Sequence, residues 1–182
     1  MAIDTPQSLA LSRKQLAGRA GIETLVYSYY DAVYRLALSF LESESEAEDA
    51  TQETFIAAAG ALDDYRGEAQ LKTWLFAIAI NQCRQQIRKR RQRERLKNAV
   101  RKVHALFEPP TLPEEAVAES ERNYRLHAAV SALPEKQRLP ILLRYVHNFT
   151  APEIAAVLNV SEGTVYSRLY YARRQLRHLL GE

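Results

Sequence analysis

The sequence is short of nearly everything that marks a secreted, membrane-spanning or metal-dependent protein. Among 182 residues there is one cysteine, Cys83. A single thiol cannot build a disulfide framework, so a reducing, cytoplasmic compartment is expected and Cys83 reads as a small helix residue. The four histidines, at 104, 127, 147 and 178, lack the spacing of metal ligands, and no metal site is expected. The longest apolar run, Trp74 to Ile80, is far too short to cross a bilayer, and the N-terminus has no basic-then-apolar signal, so no membrane insertion is expected. No nucleophile–base pair or glycine-rich phosphate loop stands out, which argues against an enzyme, a catalytic residue or a cofactor. Six glycines and seven prolines leave few turns, and no segment alternates apolar and polar residues as a half-buried strand does. An all-α fold is expected.

What is present is charge, in blocks. The net charge is only +3, but six acids and no base lie between Glu42 and Glu53. Ten bases and one acid lie between Arg84 and Lys102, and five acids and no base between His104 and Glu121. Such blocks suggest surfaces made for different partners.

Apolar periodicity predicts one helix over about 22–41, a second over 46–62 with an acidic first turn, and a third that starts near Leu71 and runs into the basic block. The stretch "FEPPTLPEEAVAES" holds prolines 109, 110 and 113 and reads as an acidic linker. The chain thus divides into a leader (1–21), a helical domain (22–96), a linker (97–118) and a second helical domain (119–182). In the second domain, helices are expected over 119–132, from Pro134 to about His147 with a bend at Pro140, and two more after "TAPE" and "NVS". Thr150 and Glu153 have the spacing of a capping box.

The last of these helices is greasy on one side and basic and aromatic on the other. Val165, Leu169, Ala172, Leu176 and Leu180 fall on one stripe, whereas Ser167, Tyr170, Tyr171, Arg174 and Arg177 point away. Two short helices, a tight turn and an exposed polar face make a helix-turn-helix, whose second helix can enter a major groove. A packing helix with a solvated basic face explains the same periodicity.

At this point the residues resemble a known family. "LPEKQRLPILLRYVHNFTAPE" followed by "IAAVLNVSEGTVYSRLYYARRQL" resembles the C-terminal DNA-binding domain of extracytoplasmic-function (ECF) sigma factors. "EAEDATQETFIAAAGALDDYRGEAQLKTWLFAIAINQCRQQIRKRR" resembles their other domain, which binds polymerase and opens the promoter. The resemblance implies a dissociable subunit of bacterial RNA polymerase, with no catalysis of its own. It implies a clamp contact through Asp49, Gln52, Glu53 and Ile56, and a second contact with the polymerase flap. It implies −10 DNA binding through Tyr65, Arg66, Lys72, Asn81, Arg84 and Arg88, with Trp74 expected in the core. It implies −35 binding through Thr164, Tyr166, Ser167, Arg168, Tyr170, Tyr171, Arg173 and Arg174. A cognate anti-sigma factor is expected as a further partner. The family often carries an aromatic where Ala59 stands, which implies altered packing of the second helix. The alternative is a free-standing helix-turn-helix regulator, which leaves the acidic helix and the TWL segment without a role.

Overall fold

The computed structural model describes residues 19–67, 69–104 and 121–181, all of them in helices or the turns between them. The N-terminal leader up to residue 18 and the proline-rich part of the linker lie outside the described residues.

The first unit holds α1 (Arg19–Leu41), α2 (Glu44–Ala61) and α3 (Leu71–His104). Each helix packs on the other two. On α1 the expected stripe is buried at Leu25, Val33, Leu36, Ala37, Phe40 and Leu41. Ser43 caps α2, its hydroxyl accepting from the Glu46 N–H at 3.4 Å. Small residues face inward along α2, namely Ala47, Ala50 and Ala58 with Thr51, Thr54 and Phe55. The two threonine hydroxyls donate back to the Ala47 and Ala50 carbonyls, at 2.7 and 2.6 Å, so their burial leaves no donor unpaired. Ala59 is exposed and is not among the buried residues of α2.

α3 continues to His104, into the stretch where the sequence reading begins the linker. The reason is local: arginine, lysine, glutamine and glutamate are strong helix formers, and the first proline comes only at 109.

The second unit holds α4 (Glu121–Ser131), α5 (Glu135–Ile141), a single π turn (Leu142–Val146), α6 (Ala151–Leu158) and α7 (Glu162–Leu180). Pro140 is buried within α5 and has no N–H to donate. The ladder is re-registered just beyond it as the π turn, so the expected long helix to His147 is two pieces. The Thr150 N–H donates to Glu153 Oε2 at 2.7 Å, forming the capping box of α6. α6 ends at Asn159, which takes the left-handed conformation (φ 51°) that asparagine tolerates. Ser161 then caps α7, accepting from the Thr164 N–H at 3.2 Å. Buried Val165, Leu169 and Ala172 seat α7 on α4, α5 and α6.

The two units also pack against each other, α3 on α6 and α1 on the π turn. Phe76 of α3 meets Phe149 at 4.9 Å between ring centroids and the edge of His147 at 5.3 Å. Phe76, Phe149 and His147 are all buried at this seam.

Candidate functional site

Three surfaces carry the residues picked out from the sequence. On α2, Asp49, Gln52, Glu53 and Ile56 are all exposed, on the side away from the buried alanines. Ile56 is 65% exposed, an apolar side chain framed by acids and an amide. Asp49, Gln52 and Glu53 also form one wall of a groove of about 190 Å³ whose other wall is Gln86, Lys89 and Arg93 of α3. The acidic face therefore borders the basic block. That neighbourhood escaped sequence reading, although Gln86, Lys89 and Arg93 recur at helical steps of three and four. Arg90, in the same block, binds Glu46 at 3.1 Å and the Leu41 carbonyl at 3.4 Å, tying α3 to the start of α2.

The second surface lies on the α2–α3 turn and one side of α3. The Tyr65 ring packs on Trp74 at 5.1 Å, and its hydroxyl donates to the Ala69 carbonyl. Burial raises the Tyr65 phenol above its ordinary value. Trp74 is partly buried, resting on the core while showing an edge beside Tyr65. Asn81, Arg88 and Arg66 are exposed. Trp74, Asn81 and Arg88 are seven residues apart in turn, so they share a side of α3.

Two of the sequence-picked residues are engaged elsewhere. The Arg84 Nε donates to Glu135 Oε1 of α5 at 2.9 Å. Lys72 projects from the opposite side of α3 to Asn81; its Nζ donates to the His147 carbonyl at 3.1 Å and lies 4.4 Å from the Phe149 ring centre. Burial lowers the Lys72 ammonium below its ordinary value, opposed by the nearby Glu153 carboxylate.

The third surface is α7. Tyr166, Tyr170 and Tyr171 are more than half exposed, and the last two meet edge-on at 5.4 Å. Ser167 is exposed and donates to the Thr164 carbonyl at 2.9 Å; Arg173 Nε donates to the Leu169 carbonyl at 3.3 Å. Arg174 projects freely between Tyr170 and Tyr171 on the outward face. Thr164 shares a hydrogen bond of 2.9 Å with Ser161 and belongs to the cap. Arg168 is partly buried and lines a groove of about 510 Å³ with Arg84, Lys136 and Leu139.

Among the described residues no group of three or more His, Cys, Asp or Glu side chains can hold a metal ion, and no helix is long and apolar enough to cross a membrane. Burial pushes the Cys83 thiol up to about 12, which leaves it protonated and unreactive.

Both halves of this arrangement match known proteins in order. The profile of Sigma-70 region 2 matches residues 25–93, and that of Sigma-70, region 4 matches residues 124–176. The chain is 33% identical over 162 residues to the ECF RNA polymerase sigma factor SigW of Bacillus subtilis, covering 86% of this chain and 87% of that one. It is an ECF sigma factor of the sigma-70 family. The RNA polymerase sigma-H factor of Pseudomonas aeruginosa is 30% identical over 172 residues, covering 91% of this chain and 89% of that one. The fold matches CnrH, solved with the cytosolic domain of CnrY, at a TM-score of 0.68 and 29% identity over 93% of this chain and 94% of that one. It also matches the sigma factor RpoE of Bartonella quintana, solved with the anti-sigma factor NepR, at a TM-score of 0.66 and 27% identity over 87% of this chain and 96% of that one. As an ECF sigma factor the chain binds core RNA polymerase and promoter DNA, and the polymerase, not the sigma factor, does the chemistry.

Proposed function

We propose that this sigma factor divides its tasks among the three surfaces. The outward face of α2, with Asp49, Gln52, Glu53 and Ile56, docks on the polymerase clamp. The observation that carries this assignment is Ile56: an isoleucine left 65% exposed amid acids and an amide is suited to a partner with an apolar spot and basic rim. The unit from 22 to 96 acts at the −10 element. Tyr65 and Trp74 supply an aromatic wall, Asn81 an amide that can both donate and accept, and Arg66 and Arg88 phosphate contacts. The unit from 119 to 182 reads the −35 element through α7 and meets the flap, and the residues between, 97–118, join the two. Tyr166, Ser167, Tyr170 and Tyr171 take the base edges, and Arg173 and Arg174 the phosphates.

An anti-sigma factor is the natural regulator, supported by the relative of Bartonella quintana solved with one. The site of action is the cytoplasm, where the polymerase is. A pull-down with core RNA polymerase tests the docking face. The Asp49→Lys, Glu53→Lys double variant is expected to lose core binding while its circular dichroism stays helical. Retained core affinity in that variant overturns the assignment of α2.

A further inference from the structure

Gly163 is the second residue of α7 and lies on its outward face, two residues before buried Val165 and four before exposed Ser167. Among the described residues nothing in the chain requires a glycine there. It does not take the left-handed conformation that Gly67 and Gly181 adopt. Beyond its chain neighbours and the helix backbone, a Cβ built on it would meet only the Ser161 Oγ, at 3.9 Å. That is ordinary van der Waals contact and leaves the cap of α7 undisturbed. Glycine is also a poor helix former, because it gives up more chain entropy on folding than any other residue. For the fold alone, alanine suits this position better.

The outward face of α7 grows taller along the helix. Gly163, Ser167, Tyr170 and Arg174 follow at steps of four, three and four, with Tyr171 beside Tyr170. The row runs from no side chain, through one short hydroxyl, to two aromatic rings and a guanidinium. The Ser167 hydroxyl is turned back to the Thr164 carbonyl at 2.9 Å, and the two tyrosine rings meet edge-on at 5.4 Å. One end of the face is therefore bare backbone and the other a ridge. A helix with its side chains is about 10–12 Å across, and the major groove is about 12 Å wide. The fit leaves little slack, so side-chain height decides how near the backbone comes to the base edges. A face that tapers toward its N-terminus suits a helix that enters tilted, with that end deepest.

We infer that Gly163 is a positioning residue for −35 recognition. Its missing side chain lets the first turn of α7 lie against the base edges, and this depth brings Ser167, Tyr170 and Tyr171 within reach of theirs. One methyl group at position 163 holds the leading end away and weakens those contacts together, without changing any charge. The inference rests on α7 as the reading helix, as proposed above, and the experiment separates the two.

Gly163→Ala and Gly163→Leu are made in the full chain and assembled with core polymerase. Promoter binding is measured on a template selected from a randomised −35 library, and on the same template with its −35 element replaced. Urea melts of the free chain read stability. Gly163→Ala is expected to be at least as stable as the wild type. On the selected template it is expected to lower affinity about tenfold, the order of one lost base contact, and Gly163→Leu is expected to lower it further. Gly163→Ser takes the place of Gly163→Leu if the latter does not fold. On the replaced template all are expected to match the wild type. A less stable Gly163→Ala shows that the glycine serves the fold, and overturns the inference. Equal losses on both templates overturn it too. If Tyr171→Ala weakens binding to the selected template alone while the Gly163 variants bind as the wild type does, the inference falls and α7 remains the reader. If neither the Tyr171 nor the Gly163 variants distinguish the two templates, the reading of α7 fails and the inference falls with it.

Discussion

Lys72 and Asn81 stand on the same helix and face opposite ways. Nine residues, two and a half turns, separate them, so the lysine points into the seam at the His147 carbonyl and the asparagine into solvent. Side chains that the sequence places in one cluster are thus set in two different surroundings by the helix.

Asn81→Ala and Tyr65→Ala are therefore expected to spare core binding yet reduce open-complex formation. A base-stacking or base-edge contact contributes about 1–3 kcal/mol. Permanganate reactivity of thymines at the −10 element reads the effect. Lys72→Ala is expected to leave that reactivity unchanged in preassembled holoenzyme. The same loss in all three variants would put Lys72 on the DNA after all.

His147 makes the fold sensitive to acid. Its ring is buried against Phe76, and burial, with the Lys72 and Arg35 cations nearby, lowers its pKa to about 4. Once exposed, the imidazole takes a proton near its ordinary value of about 6.5. Between those two values the unfolded chain binds more protons than the folded one, so stability falls as the pH falls. The contribution is fully present above about pH 6.5 and is lost progressively toward about pH 4, amounting in full to about 3 kcal/mol. Urea melts at pH 7 and pH 5 are expected to differ by about 2 kcal/mol in the wild type and by clearly less in His147→Gln. Equal pH dependence in both proteins would mean that His147 takes up its proton as readily in the fold as in the unfolded chain.

The cap of α6 is expected to matter for stability and not for sequence preference. Thr150→Ala removes the hydroxyl half of the capping box and should cost about 1 kcal/mol in a denaturant melt. The preferred −35 sequence should stay the same in a binding selection.

On α7 the tyrosines and arginines are expected to behave differently. Arg174→Ala should weaken binding to all sites about equally and lower the salt slope by about 0.9, the value for one phosphate on duplex DNA. Tyrosine cannot make the two-pronged contact that arginine makes to guanine. Tyr171→Arg should shift the −35 preference toward guanine at one position, by about 1–3 kcal/mol for a good bidentate pair. Selection from a randomised −35 library checks both.

The helices, the capping box and the outward face of α2 were legible because each is written in local spacing. Thr150 and Glu153 are three residues apart, and the alanines of α2 recur at three and four. That α3 would run on to His104, into the first part of the linker, was not legible, because the charged residues between Lys97 and His104 look like a solvated tail yet are good helix formers. The bend expected at Pro140 became a π turn, since a missing N–H can be absorbed by re-registering the ladder. The seam was not legible at all. Phe40 and Arg138 are far apart in the chain, and no local pattern announces that an arginine on α5 will lie over a ring on α1. The same holds for the contacts that Arg84 and Lys72 make with the second unit.

Run-off transcription with purified core polymerase on a library of randomised promoters tests the central claim most directly. Added to core, the chain is expected to drive transcripts from a subset of templates that share two elements. The Asp49→Lys, Glu53→Lys variant is expected to abolish them, and Asn81→Ala to reduce them. Templates bound tightly by the chain alone, with no transcript produced when core is added, would contradict the account and point to a free-standing helix-turn-helix regulator.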